Sequence, residues 1–519
     1  MNLHPALQDA AARDFGTLAD LVRLHAQNTP DRPALADAQQ TLDYRALDAL
    51  MDRIAAALQR DGLRAGDAIA VCAASSVPYA AVFLGALRAG VAVAPLAPGS
   101  APASLARMIS DADARLLFTD ASAAEVVGAA QAAGLPHIAL DGSDVGRALD
   151  DWLAAPGTKP EPVDVQPGWA FNIIYSSGTT GEPKGIVQGH GMRWSHIQRG
   201  AKYEYGPETV TLLSTPLYSN TTLVVFFPTI AFGGCVVLMP KFDAQGYLQL
   251  AVQHHVTHTM LVPVQYQRLM AHPRFDAHDL STFRHKFSTS APFNAALKAD
   301  VLQRWPGGLV EFYGMTEGGG TCILEAHLNP TKLHTVGQPA PGSDIRLIDE
   351  EGNELPQGDT EVAGEVVGHS AGMMTGYHRQ PEKTREAEWF DATGKRFIRT
   401  GDVGRFDADG FLTLFDRKKD MIISGGFNIY PSDLEGVLRG HVAVADVAVI
   451  GVPSEQWGET PVAFVVRREG DATTEDALLQ WANAQVGKTQ RLARLRFIDE
   501  LPRSAIGKVL KRELRDLSA

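Results

Sequence analysis

The sequence predicts an α/β protein in two unequal parts. A large N-terminal domain of parallel α/β subdomains plus a β-rich subdomain precedes a small α+β C-terminal domain. Three observations lead there. From Thr17 to Asp120 short apolar runs alternate with helix-length segments, the pattern of parallel βαβ units. After Lys332 the chain becomes β-rich, with turns such as Asp349-Glu350-Glu351-Gly352 and Asp407-Ala408-Asp409-Gly410. A dense charge run, Asp416-Arg417-Lys418-Lys419-Asp420, then leaves about a hundred residues, an ordinary size for a separate domain. The expected division is 1–415, a joint at 416–420, and 421–519.

Composition bounds the function. At 519 residues the chain exceeds what one core holds, and 45% hydrophobic with 21% charged residues is ordinary for a soluble globular protein. A net charge of −13 argues against nucleic-acid binding. Cys72, Cys235 and Cys322 lie far apart without metal-ligand spacing and read as reduced thiols. Met1 to Phe15 lacks the apolar core of a secretory signal, and Leu517-Ser518-Ala519 is not a peroxisomal address, so the expected location is the cytoplasm. Thr209 to Pro240 carries no charge, but Pro216, Pro228, Gly233 and Gly234 punctuate it. It reads as a buried helix followed by a strand at Cys235–Met239, not a membrane span.

Taken in order, Ala46–Gln59 is an amphipathic helix, Ala68–Cys72 a strand, Ala80–Arg88 a helix, and Val91–Pro95 and Ala114–Thr119 strands. Gly62 and Gly90 stand just past the two helices, where a helix should stop. A connector with Pro156, Pro160, Pro162 and Pro167 delivers the chain to a buried strand, Ala170–Tyr175. The stretch Ser176-Ser177-Gly178-Thr179-Thr180-Gly181-Glu182-Pro183-Lys184-Gly185 follows. Its glycines let backbone N–H groups face an anion, its hydroxyls add donors, and Lys184 adds a point charge, which together describe a polyphosphate cradle. It is not the kinase and GTPase P-loop, because Pro183 stands where that motif has Gly and Gly185 where it has Ser or Thr. His254 and His258 are spaced i, i+4 but lack a third ligand, so a structural role is expected.

Two later loops, Ser288-Thr289-Ser290-Ala291-Pro292 and Val310-Glu311-Phe312-Tyr313-Gly314-Met315-Thr316-Glu317, each leave a strand-like run. In parallel sheets ligands gather at carboxyl ends of strands, so both can join the Lys184 loop around one crevice. Tyr313 can cover a purine, Thr316 can reach phosphate, and the Glu317 carboxylate can hold Mg²⁺. Gly318-Gly319-Gly320 borders a roomy pocket or is simply flexible. In Thr400-Gly401-Asp402 a carboxylate just after a strand can accept both ribose hydroxyls. From Gln485 to Ala519 nine basic residues stand against four acidic ones, a sign suited to phosphates.

The run Ser-Gly-Thr-Thr-Gly-x-Pro-Lys-Gly after an apolar strand resembles the signature loop of adenylate-forming enzymes: acyl- and aryl-CoA ligases, peptide-synthetase adenylation domains and luciferases. Tyr313-Gly314-x-Thr316-Glu317, Asp402, and Pro502-Arg503-Ser504-Ala505-Ile506-Gly507-Lys508 match further landmarks, so the resemblance covers most of the chain. It implies an AMP-forming acid–CoA ligase using ATP, Mg²⁺ and coenzyme A. Ser176, Ser177, Gly178, Thr179, Thr180, Gly181, Lys184, Ser290, Ala291, Pro292, Glu311, Phe312, Tyr313, Gly314, Asp402 and Arg417 would contact ATP or AMP. Lys508, Thr316 and Glu317 would be catalytic, with Glu317 also holding the metal. Lys419 would be the hinge of a rotating C-terminal domain.

Tyr218, Ser219 and Asn220, with Gly318 and Gly319, would line the acyl pocket and thiol tunnel. Tyr218 keeps the family's aromatic, but Ser219 and Asn220 replace its frequent His. Tyr218, Phe226 and Phe227 suggest an apolar pocket for an aromatic or medium-chain acid. Ser424-Gly425-Gly426-Phe427-Asn428 is similar to the acyl-CoA ligase version of its motif, so Gly425 and Gly426 would pass a pantetheine arm or merely form a turn. Trp457 would lie against coenzyme A or be a packing residue. The alternative implied by the family is loading of a carrier-protein phosphopantetheine; a homodimer is an assembly it allows.

Overall fold

In the computed structural model the residues described are 5–123, 128, 134–176, 184–356, 358, 360–417, 420–424, 427–487, 490–504 and 507–518. Two mixed sheets build the N-terminal part. The first runs Gly376–Tyr377, Lys184–Gly189, Ala170–Ser176, Ala92–Leu96, Ala68–Cys72, Ala114–Thr119, His137–Ala139, Arg147–Ala148. Its pairs are parallel except at one edge, where Ala170–Ser176, Lys184–Gly189 and Gly376–Tyr377 are antiparallel. The second sheet holds six parallel strands, Gly308–Tyr313, His285–Ser288, His258–Leu261, Val210–Leu213, Cys235–Leu238 and Pro33–Ala36, flanked by antiparallel edges. Loops leaving the carboxyl ends of its middle strands all turn to one side, which is where the site forms.

The local chemistry explains the boundaries. Strands Ala68–Cys72 and Ala114–Thr119 have the expected limits. The next helix starts at Val77, three residues earlier than expected, because Ser76 caps it by accepting from the Tyr79 N–H at 3.3 Å. Gly62 (φ 84°) and Gly90 (φ 69°) are left-handed and stop their helices as expected. The charge-free segment is a helix at Asn220–Ala231 and a strand at Cys235–Leu238. His254 ends the Ala244–Gln253 helix while His258 is buried in the next strand, its Nε2 2.7 Å from the Tyr203 carbonyl, so the two do not converge.

A third, antiparallel sheet follows Lys332: Asp344–Ile348, Gly364–His369, Arg396–Phe406 and Glu388–Phe390, with Leu412–Arg417 paired to Arg396–Phe406. Asp402 lies within the Arg396–Phe406 strand rather than after it. The expected strand end is instead a break, with left-handed Gly401 (φ 71°) and a register shift between Asp402 and Gly404. The C-terminal residues form their own sheet from Phe427–Ile429, Ile422–Ser424, Gly458–Arg467, Val444–Ser454 and Arg494–Ile498. They also have their own apolar cluster around Ile422, Leu434, Val447, Val465, Leu478 and Leu495. This is the α/β fold with a smaller C-terminal part that the sequence predicts.

Candidate active site

A cavity of about 2650 Å³ opens where the sheets meet. Tyr175 and Lys184 enter it from the first sheet, Tyr218, Ser290, Tyr313 and Glu317 from second-sheet loops, Asp402 from the third sheet and Lys508 from the C-terminal part. Residues distant in sequence are thereby brought to one space.

At one end the hairpin carrying the anion-cradle sequence pairs Ser176 opposite Lys184. Ser177, Gly178, Thr179, Thr180 and Gly181 lie outside the described residues. The Lys184 ammonium sits 5.1 Å from the Tyr377 ring centre, and the Tyr377 hydroxyl donates to Glu317 Oε1 at 2.8 Å. Burial, then the Glu317 charge and hydrogen bond, push the Tyr377 phenol above its ordinary range, so it remains a donor. The sequence reading missed this tyrosine. Its place in the site depends on pairing with Ile186 across a long stretch of chain.

A buried amide network holds the Thr316–Glu317 loop from behind. Gln188 Nε2 donates to the Thr316 carbonyl at 2.7 Å and to Asn220 Oδ1 at 3.4 Å. Gln188 Oε1 accepts from Asn172 and from the Arg193 guanidinium, which also donates to Asn172 Oδ1 at 3.0 Å. Arg193 is 1% exposed, lies 5.3 Å from the Phe227 ring centre, and is lowered by burial to about 9. It orients neutral amides and touches no carboxylate among the described residues.

At the other end the Tyr313 hydroxyl donates to Asp402 Oδ2 at 2.9 Å, and the Asp402 N–H donates to Thr400 Oγ1 at 3.0 Å. The carboxylate and the ring are thus fixed together. Arg417 pairs backbone to backbone opposite Asp402. Ser290 is left-handed (φ 81°), a conformation that costs a serine about 1–3 kcal/mol and that gathers at ligand sites. Its hydroxyl is held by the Thr221 hydroxyl. Ala291, Pro292, Phe312 and Gly314 also line the cavity. Glu311 reaches the wall, but its carboxylate is buried against the Lys298 ammonium, which also donates to the carbonyls of Leu333 (2.8 Å) and Thr335 (3.1 Å).

The acyl side departs from expectation in part. Tyr218, Ser219 and Asn220 all line the cavity, and Ser219 also caps the Asn220–Ala231 helix, accepting from the Thr221 N–H at 3.3 Å. Phe226 and Phe227 are fully buried on the far face of that helix, where Phe227 packs on Phe83 and Phe171; Thr221, Val224 and Val225 face the cavity instead. The helix is apolar all round, so no periodicity marked its open face. Gly318 borders the cavity, but Gly319 and Gly320 do not. They are glycines because a Cβ on Gly319 would meet the Gly368 carbonyl at 3.0 Å and one on Gly320 would meet Ile345 at 2.2 Å. Close packing, not pocket space, explains the run.

The turn Arg503–Val509 presents Lys508. The Arg503 guanidinium donates to the Gly507 carbonyl at 2.6 Å and to Asp446 at 2.5 Å, and the Ser504 N–H donates to the Lys508 carbonyl at 2.8 Å. Gly507 (φ 75°) lies so near the N-terminal part that a Cβ would meet Val264 at 2.9 Å. Trp457 is half exposed and off the cavity. Lys419, Gly425 and Gly426 lie outside the described residues.

Residues 22–378 match the family model described as AMP-binding enzyme, and residues 433–508 match that of the AMP-binding enzyme C-terminal domain. The chain is 32% identical over 99% of its length to a fatty acid–[acyl-carrier-protein] ligase of Streptomyces coeruleorubidus, covering 97% of it. It is 33% identical over 94% of its length to a feruloyl-CoA synthase of an Amycolatopsis species, covering 96% of that protein. Among solved structures, ATP-bound MatB from Rhodopseudomonas palustris superposes with a TM-score of 0.85 at 30% identity, covering 96% of this chain and 98% of that one.

Proposed function

We propose how a chain that belongs to the adenylate-forming AMP-binding enzymes, and is an AMP-forming acid–coenzyme A ligase, divides two half-reactions among its residues. The acid carboxylate attacks the α-phosphorus of ATP and expels pyrophosphate; the thiol of coenzyme A then attacks the acyl carbon and AMP departs. A carboxylate and a phosphate repel each other, so the first step needs positive groups where charge develops and an aligned nucleophile. Lys508 supplies charge at the junction of acid and α-phosphate, and Lys184 with the cradle loop supplies it at the outer phosphates. Asp402, held by Tyr313, accepts the ribose hydroxyls, and the Tyr313 ring covers the purine. A rotation at Lys419 afterwards exchanges Lys508 for the Gly425–Gly426 face.

The residues at the phosphate end fit Mg²⁺. The Glu317 carboxylate stands there beside Thr316, which suits a cation that takes most of its oxygens from phosphate and water. When bound, the ion neutralises phosphate charge.

The observation that carries this reading is the meeting of Lys184, Glu317, the Tyr313–Asp402 pair and Lys508 in one cavity. Val224, Val225, Phe287, Phe312 and Ile323 give that cavity an apolar wall of a size for an aromatic or medium-chain acid. The free cysteines, two of them buried, support a cytoplasmic setting. No helix among the described residues is long and apolar enough to cross a membrane.

Purified protein with ATP, Mg²⁺, a panel of aromatic and medium-chain acids and either coenzyme A or a carrier protein tests the reading. Acid-dependent pyrophosphate release with thioester on coenzyme A is expected. The carrier-protein ligase among the relatives favours a second acceptor, and thioester found only on the carrier would replace the first reading with that one. Asp402→Ala is expected to raise the KM for ATP about tenfold or more, because the ribose loses a charged acceptor; an unchanged KM in steady-state kinetics removes Asp402 from the nucleotide site.

A further inference from the structure

The acyl side of the cavity is not uniformly apolar. The helix His190–Gly200 and the turn after it send His196, Arg199, Tyr203 and Tyr205 to its wall. The polar atoms of His196 and Arg199 gather around Gly372. A Cβ on Gly372 would stand 3.1 Å from an Arg199 guanidinium nitrogen, 3.2 Å from His196 Nε2 and 3.4 Å from Ser370 Oγ. Among the described residues Arg199 has no hydrogen-bond or ion-pair partner, and its resolved electrostatic neighbours are the Tyr203 phenol and the His196 ring. His196 Nδ1 and the hydroxyls of Tyr203 and Tyr205 are buried and unpartnered as well.

Such a cluster is costly when empty. A half-buried guanidinium without a counter-charge, and buried hydroxyls without acceptors, each oppose folding. Among the described residues the nearest carboxylate, Glu325, acts on Tyr203 but is paired with Lys202, and none is paired with Arg199, so the missing group is an anion that accepts from Arg199 and His196. Burial, with Arg199 and Arg193 adding repulsion, holds His196 well below its ordinary range, so it enters as neutral imidazole. Gly372 also adjoins the catalytic loop: a Cβ on Gly318 would overlap its carbonyl at 1.9 Å. The cationic cluster therefore lies on the acid side of that loop, within reach of the remote end of a short or medium acid.

We propose that the acid carries a second carboxylate, and that Arg199, assisted by His196 and Ser370, binds it while the first is activated. Arg199 is thereby a specificity-determining residue. The inference rests on the ligase reading and deepens it: the substrate class is a dicarboxylic acid converted to a mono-thioester.

The test is acid-dependent pyrophosphate release over pairs of acids matched in length, each with one or two carboxylates, for wild type, Arg199→Met and Arg199→Lys. Wild type is expected to favour the diacid of at least one pair by about a hundredfold in kcat/KM, since a site built on buried polar groups rejects a ligand that leaves them unpaired. Arg199→Met should lose that preference through KM for the diacid while its rates with monoacids stay within about threefold. Arg199→Lys should keep part of the preference, and its activity reports that the site is folded. Release with monoacids only, or equal loss with both acids in Arg199→Met while Arg199→Lys is unaffected, overturns this proposal alone. Release with no acid at all overturns it together with the ligase reading.

Discussion

A Lys508→Ala variant is expected to form acyl-adenylate about 10²–10³-fold more slowly while still converting preformed acyl-adenylate to thioester with coenzyme A. The magnitude is that of removing one preorganised charge from the point where negative charge develops. The selectivity follows from where the lysine sits. Its turn is braced by Arg503, through the Gly507 carbonyl and Asp446, and those bonds survive an alanine at 508. Gly507 lies against Val262 and Val264 of the N-terminal part, so this arrangement is the one in which Lys508 reaches the cavity. A second half-reaction run with another face of the C-terminal domain toward the same cavity does not use that side chain. Pyrophosphate release and thioester formation from synthetic adenylate measure the two steps separately. Equal loss of both, with an unchanged melting temperature, removes the assigned role.

The parts of the site that were legible in the sequence are those whose chemistry is local. Glycines, hydroxyls and a lysine in one short stretch announce an anion cradle, and strands in a βαβ rhythm announce a sheet whose carboxyl ends meet. Ala68–Cys72 and Ala114–Thr119 were readable because parallel, doubly covered strands are continuous apolar runs. What stayed hidden depends on pairing across the chain. Tyr377 belongs to the site because it pairs with the Lys184–Gly189 strand, and Gln188 and Arg193 support Thr316 through side chains whose own neighbourhood looks unremarkable. The Gly318–Gly320 run was open to misreading because absence of a side chain signals either free space or a close neighbour, and only the third sheet shows which. Phe226 and Phe227 drew the pocket to the wrong side of a helix whose faces are alike in sequence. The Arg199 cluster was silent for the opposite reason: a basic residue on a polar helix reads as solvated surface.

Glu311 is where sequence and structure make opposite predictions, and the expected effect is large. By its motif it would touch nucleotide, and its replacement would raise the KM for ATP. Glu311 is instead 4% exposed, its carboxylate paired with the ammonium of Lys298, a residue 1% exposed. Burial raises the Glu311 pKa against the opposing pull of Lys298, the mark of an ion pair held in a poorly solvated place. Removing one partner of such a pair leaves the other charge uncompensated, at a cost of about 3–5 kcal/mol. Glu311→Ala is therefore expected to lower the denaturation midpoint strongly, the carbonyls of Leu333 and Thr335 giving Lys298 only neutral acceptors. Replacing both, as Lys298→Met with Glu311→Met, should recover most of that loss, because well-packed apolar groups of similar volume can replace a buried pair at little cost. Denaturant titration of the three proteins, with ATP KM measured on the folded fraction, separates the two roles. A raised KM with an unchanged midpoint in Glu311→Ala would return the residue to the nucleotide. A lowered midpoint restored in the double variant, with KM near wild type, makes it the brace that holds the Tyr313 strand against the helix Ala295–Arg304.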